Sequence, residues 1–403
     1  MKKKIVEKFK KLNSENFKFS EVIIIILLTT VVGISIGGVI TKKNYGIDKT
    51  GALSPKLQEF VNNYNYILNN YYGELDETKL LDTALAKILE EIDDPYALYM
   101  DENESTNFNI HLTGSYRGIG VEVAQLNTTG ELIITQIFDN SPADKSGLKV
   151  GDIILKIDND SVEGLSSTDF SKKIKSLKDN FALTVSRDGK EFVTNVEIDT
   201  VVIKSVDSKL LDNKIGYLSI SIFADNTYEQ VKTALVDLEE QQMSSLIVDL
   251  RNNTGGYLTS VENILGLFLD SSHVIYQIQD KKTTTKFYSK GKNTVDYDVV
   301  ILTNSTTASA SEIMTAALKE ELGAVSVGQK TYGKGSAQKL HTMSNGAKYK
   351  FTTQKWLTPS GNSIDKEGIS VDYEVVLDEK YYNNPILEND NQLQTAISLL
   401  SKN

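Results

Sequence analysis

The sequence predicts a multidomain α/β protein with a membrane-spanning helix near its amino terminus. Three observations lead there. Residues 22–40 form an apolar run without one charged side chain. Near residue 113 the hydrophobic period changes to two and stays so for roughly ninety residues, the mark of a mostly β unit. Beyond about residue 200, strand-length apolar runs are each followed by a helix-length run, which argues an α/β layer.

Composition narrows the function classes. The 403 residues are 40% hydrophobic and 24% charged, a folded composition for two or three cores. The formal charge is −11, but residues 1–43 carry nine Lys against three Glu, so the remainder carries −17. A body that acidic repels phosphate backbones, and nucleic-acid binding is not expected. There is no Cys, which removes disulfides, thiol catalysis and Cys-based zinc sites. His111, His273 and His341 are scattered singly, so no metal site is expected.

Element by element, residues 1–20 read as a basic cytoplasmic tail with Lys2, Lys3, Lys4, Lys8, Lys10 and Lys11. The run 22–40, VIIIILLTTVVGISIGGVI, spans roughly 28 Å as a helix, close to the bilayer hydrocarbon. A buried helix would carry a polar face, and a cleavable signal would have a shorter core and a small-x-small site. A signal anchor over 21–41 is therefore expected, with the body outside the cytoplasm by lysine bias. A tether and helical region follow over 42–112. Ser54-Pro55 offers a cap and a first-turn proline, and Leu57, Phe60, Val61, Tyr64, Leu68 and Tyr71 make an amphipathic stripe. A second stripe runs through Leu81, Leu85, Ile88, Leu89 and Ile92; these helices either pack on their own domain or pair with a second copy.

The β unit occupies 113–200, with runs such as GVEVAQL, ELIITQIF, DIILKID and FALTVSR punctuated at Asn159-Asp160 and Asp188-Gly189. A short helix starts at Ser141-Pro142 and stops at Gly147. The α/β core occupies 201–376: YLSISIF precedes a helical run from Thr227 to Gln242, SLIVDLR leads to a glycine turn, and VVILTN leads to Ser309 and a helix with Ile313, Ala317 and Leu318 on one face. Residues 377–403 are expected as a helical arm.

Four segments could carry chemistry. In TTASASEIMTAALKE (306–320), Ser309 falls at a helix amino terminus, where unpaired N–H groups favour developing negative charge; the plainer reading is an N-cap with Glu312 completing a capping box. In TYGKGSAQ (331–338), Lys334 lies between two glycines, aimed by a tight loop or simply solvated; as a base it needs burial or positive neighbours. DLRNNTGGYL (249–258) sets Gly255 and Gly256 just past a strand, where bare amides can bind an oxyanion. Thr254 there stands where a trypsin-like enzyme has its serine, but no His–Asp pair accompanies it. In YRGIGVEV (116–123), Gly118, Ile119, Gly120 and Val121 form a loop and strand edge able to hold a peptide carboxylate.

Taken in order, DDPYALYM (93–100), RGIGVEV, NSPADKSGLKVGDIILKIDNDSV (140–162), IGYLSISIF (215–223), LIVDLRNNTGGYL (246–258), SASE (309–312), YGKGSAQ, WLTPSGNSIDKEGISVD (356–372) and NQLQTAISLL resemble the carboxy-terminal processing, or tail-specific, proteases from about residue 57 onward. The resemblance implies a crotonase/ClpP-like protease core with an inserted PDZ domain and helical arms. It implies Ser309 as nucleophile, Lys334 as base, Gln338 orienting that lysine, the amides of Ala310 and of Gly255 rather than Gly256 as oxyanion hole, and Glu312, Thr331 and Gly256 in support. The expected partners are peptides with free carboxy termini bound at Gly118–Val121, the membrane, and a second copy of the chain, with no cofactor. An inactive PDZ scaffold and a trypsin-like PDZ protease are the alternatives. The chain departs from the family in reading N-T-G-G for N-P-G-G, Gly368-Ile369-Ser370-Val371-Asp372 for G-I-x-P-D, and Leu177-Lys178-Asp179 where L-R-G is usual.

Overall fold

The computed structural model describes residues 53–177 and 180–401. The expected tail and anchor, most of the tether, and Lys178-Asp179 lie outside the described residues. Among the described residues no helix is long and apolar enough to cross a membrane. The described residues divide into two compact units, one ending at Ala84 and the other beginning at Leu85.

In the first unit the Ser54 hydroxyl accepts from the Leu57 amide (3.3 Å) and Pro55 opens the helix Pro55–Asn70, as the sequence predicts. No residue of this helix is buried, and Leu57 and Phe60 of its apolar stripe stand exposed, as does Ile67 beside it. The next helix, Glu77–Glu90, runs across the division at residue 84, and its one buried residue is Leu89 of the second unit.

Within the second unit the structure departs from the helical region expected up to residue 112. Leu98–Met100 is a strand, paired antiparallel with Lys348–Leu357. Asp101 and Glu104 then form a capping box for the helix Glu102–Thr113, which stops at Gly114 in the left-handed conformation (φ +67°).

The β unit has a sheet ordered Val121–Gln125, Leu132–Ile137, Ile153–Ile157, Phe181–Arg187, Lys190–Val196. The hairpin between its last two strands turns at Asp188-Gly189, both at positive φ, as a tight primed turn requires. Leu132, Ile134, Ile154, Ile157, Leu183 and Val185 fill its core with Phe170 and Ile174 of the helix Ser167–Ser176. Ser115–Gly118 pairs with Asp199–Val202 where the chain enters and leaves.

The α/β core has a six-stranded sheet ordered Val206–Leu210, Ile215–Ile220, Ser245–Asp249, Asp298–Thr303, Val325–Gly328, Tyr373–Glu374, parallel after its first pair. Side chains alternate across a strand, so each central strand feeds two cores. Leu246, Val248, Val299 and Ile301 pack beneath Thr227–Glu240, Leu258–Leu265 and Ala310–Leu322; Ile247, Val300 and Leu302 pack on the other face against Leu393 and Ala396 of Asn391–Leu400. The expected arm is thus a layer of the core. A second, antiparallel sheet joins Ser336–Thr342, Lys348–Leu357, Val274–Gln279 and Thr284–Tyr288.

Arg251 fastens the carboxy-terminal helix to the end of the third sheet strand. Its guanidinium donates to Asp249 (2.6 Å) and to Asp390 (2.8 Å), the helix cap, and all three side chains are nearly inaccessible. Removing one member of such a group strands the others' charge away from water. Arg251→Ala is expected to cost about 3–5 kcal/mol in denaturant unfolding, with faster hydrogen exchange across residues 391–400.

Candidate active site

The sheet's strands end along one edge, and three turns meet there. The first is the turn into Ala310–Leu322. Ser309 occupies the N-cap place at φ +58°, ψ −117°, a conformation that costs a non-glycine residue about 1–3 kcal/mol. Its amide donates to Glu312 Oε2 (2.8 Å), and its carbonyl accepts from the Glu312 amide (2.9 Å). The capping reading is therefore correct as geometry, but an ordinary cap does not need the strained backbone. That strain aims the side chain into a cavity of about 460 Å³.

The second is the lysine loop. The Gly333 and Lys334 amides donate to Glu312 Oε1 and Oε2 (2.7 and 2.9 Å), the Thr331 hydroxyl donates to Oε1 (2.6 Å), and the Trp356 indole donates to the Lys334 carbonyl (2.6 Å). One fully buried carboxylate thus holds the serine turn and the lysine loop together. Burial pushes the Glu312 carboxyl up, while its four donors pull it down; four N–H and O–H groups aimed at two oxygens suit the acceptor-only, ionised form.

The Lys334 side chain is half-buried and forms no ion pair among the described residues. Its Nζ sits 4.6 Å above the Tyr96 ring. Burial first, then the charge of Lys350, lower its pKa, against Glu312 and Asp94, which raise it. Burial likewise lowers Lys350. The Tyr96 phenol is pushed up to about 12 by burial and by its hydrogen bond with Tyr332.

The third is the glycine turn. A Cβ at Gly255 (φ +106°) would lie 2.8 Å from the Ser309 Cβ and 3.1 Å from the Ala310 nitrogen, so glycine is required for this approach. The Gly255 amide already donates to Asn253 Oδ1 (2.9 Å), whereas those of Gly256 and Ala310 have no acceptor among the described residues. Serving an oxyanion, Gly255 has to share or release the Asn253 bond. Asn253 was not legible as a site residue. It is fully buried, its Nδ2 donates to the Ile220 carbonyl (2.9 Å), and its own carbonyl accepts from the Ala308 amide and the Ser311 hydroxyl.

Ser309, Lys334, Gln338, Gly255, Gly256 and Ala310 line the one cavity, as does Thr254; Glu312 and Thr331 are buried. Apolar walls come from Leu112, Ile278, Ile313, Leu340 and Trp356. Gly118, Ile119, Gly120 and Val121 line a separate, smaller groove of about 70 Å³, between the sheet-edge strand Val121–Gln125 and the helix carrying Phe170, Ser171 and Ile174. An edge strand beside a helix is where an extended peptide can add as a further strand.

A serine on a strained helix entry that shares a cavity with a half-buried lysine, accompanied by a separate groove at a sheet edge, suits a serine-type peptidase with its own peptide-binding domain. Family profiles agree in detail: Peptidase family S41 matches residues 214–375, PDZ domain 117–198, and Activating protease CtpB N-terminal domain 39–104. The chain is 36% identical to carboxy-terminal processing protease CtpB of Bacillus subtilis (strain 168), over 76% of this chain and 65% of that protein. It is 32% identical to carboxy-terminal processing protease CtpA of the same strain, over 91% of this chain and 79% of that protein. Among solved structures it aligns with the photosystem II D1 C-terminal processing protease at TM-score 0.46 and 23% identity, covering 83% of this chain and 92% of that one. The chain belongs to the carboxy-terminal processing proteases of peptidase family S41.

Glu312→Gln keeps the size of the side chain but turns one end from acceptor to donor. Either the pair Thr331 and Gly333 or the pair Ser309 and Lys334 then faces an N–H. Each displaced bond is expected to cost about 1–3 kcal/mol, read as a lower denaturation midpoint together with loss of peptide cleavage.

Proposed function

We propose that this chain is a membrane-anchored endopeptidase that captures the carboxy terminus of a protein or peptide at its PDZ groove and cleaves the chain with Ser309 and Lys334. The observation that carries this reading is the half-buried, unpaired Lys334 sharing a cavity with the strained Ser309. The substrate's last residues add to the edge of Val121–Gln125, with the carboxylate at Gly118, Ile119 and Gly120. The segment upstream enters the cavity, whose apolar walls favour uncharged side chains beside the cut.

Neutral Lys334, steadied by Gln338, takes the Ser309 proton. Ser309 attacks the carbonyl, the oxyanion lies against the amides of Ala310 and of the Gly255–Gly256 turn, and the amine leaves with the proton from Lys334. Water then enters, loses a proton to the same lysine, and releases the acyl group. For this the Lys334 side chain has to leave the Tyr96 ring, whose π face favours the charged ammonium. In the same reading the strand–helix succession of the core is of the crotonase/ClpP type. The apolar run 22–40 holds the protein in the cell membrane with the catalytic body outside the cytoplasm. The exposed stripe on Pro55–Asn70 pairs with a second copy.

Ser309→Ala and Lys334→Ala are each expected to abolish cleavage of a peptide with a free apolar carboxy terminus; cleavage by purified Ser309→Ala would end the assignment. Because the neutral amine is the reactive form, kcat/KM rises with pH through the Lys334 titration. The positive charge of Lys350 depresses that titration, so Lys350→Met is expected to move the rising limb to higher pH in a pH–rate profile.

A further inference from the structure

The strand Ser336–Thr342 slips register between Ala337 and Gln338 against Lys348–Leu357, which sets Gln338 opposite Thr352. Such a bulge re-aims a side chain. The Gln338 Nε2 donates to Thr352 Oγ1 (3.1 Å) and to Ser336 Oγ (2.9 Å), so both amide protons are committed. Behind Thr352 stands Asp94, from the DDPYALYM segment. Asp94 Oδ2 accepts from the Thr352 amide (2.7 Å), and Oδ1 accepts from the Thr352 hydroxyl (3.1 Å) and the Tyr96 amide (3.0 Å).

We propose that Asp94, acting through the Thr352 hydroxyl, fixes which edge of the Gln338 amide faces Lys334, making the segment before residue 100 a positioning part of the active site. The inference rests on the Ser309–Lys334–Gln338 reading and extends it.

A threonine hydroxyl has a single proton, and an ionised carboxylate accepts only. With its proton committed to Asp94, Thr352 Oγ1 can only accept, so it must meet the NH₂ edge of Gln338. The opposite orientation would put Gln338 Oε1 against an oxygen with no proton to give. Ser336 cannot make this choice, because its hydroxyl can turn to donate or accept. Oε1 is therefore the edge left for a lysine N–H, and Lys334 lines the same cavity. Burial works against the charge on Asp94, but the donors from Thr352 and Tyr96 and the charge of Lys334 hold its carboxyl below the ordinary value. The plainer alternative is that Asp94 merely pins its loop to the strand.

The two roles separate in steady-state kinetics of the full-length chain on a fluorogenic peptide with a free apolar carboxy terminus, below the melting temperature of each variant. Thr352→Val removes the hydroxyl but leaves the Asp94 charge. It is expected to lower kcat by about tenfold or more with KM little changed, while Thr352→Ser restores turnover. Asp94→Asn is expected to lower kcat as well. The groups facing Lys334 are Asp94 and Glu312, which raise its pKa, Lys350, which lowers it, and the Tyr96 ring. Losing the Asp94 charge must therefore move the rising limb of kcat/KM to lower pH in either role, so it is the Thr352 valine–serine pair that separates the relay from a loosened loop. Folded Thr352→Val and Asp94→Asn proteins that keep near wild-type kcat, beside an inactive Gln338→Ala, would overturn the relay alone. A fully active Gln338→Ala would take down the relay and the Ser–Lys–Gln reading together. If Asp94→Asn fails to fold, the Thr352 valine–serine pair decides the matter.

Discussion

Everything at the sheet's edge hangs on the Glu312 carboxylate. It lies in the first turn of the serine helix, out of reach of water, and takes the amides of Ser309, Gly333 and Lys334 with the hydroxyl of Thr331. A buried carboxylate is costly unless it is saturated with donors. Here those donors belong to the two segments that must be brought face to face, so satisfying one charge assembles the site. The serine backbone can then hold its strained dihedrals because the helix start, the lysine loop and Asn253 all fix its neighbours.

The rest of the core protects that arrangement. Two-faced strands let the sheet carry helices on one side and the carboxy-terminal helix on the other, so the strands that end in these turns are buried on both faces. Arg251 lies four residues before Gly255 and ties the strand end to the cap of that last helix. The glycine turn is thereby anchored from behind, while its front remains bare enough to press against Ser309.

Much of this was legible in the sequence, and the parts that were not share a cause. The period switches near 113 and 200, the Ser54-Pro55 helix start and the Asp188-Gly189 turn are local signals, and local signals survive in one dimension. The family resemblance carried Ser309, Lys334, Gln338, Gly255 and Ala310, and the structure gathers them around one cavity. Asn253, Tyr96 and Lys350 went unremarked, because their importance comes from contacts across long separations: Asn253 from its bond to Gly255 beside the serine turn, Tyr96 and Lys350 from flanking Lys334. The strand Leu98–Met100 was hidden within a helical reading because three residues are too few for any period to show. The closing helix read as an arm because the face that covers its apolar side is formed by strands far earlier in the chain.

The backbone at Ser309 has one more implication. At φ +58° every L-residue pays for its side chain, and only glycine does not. A serine-to-glycine change, which removes the hydroxyl, would also relieve the backbone. A serine therefore holds this place against a stability gradient that runs toward glycine.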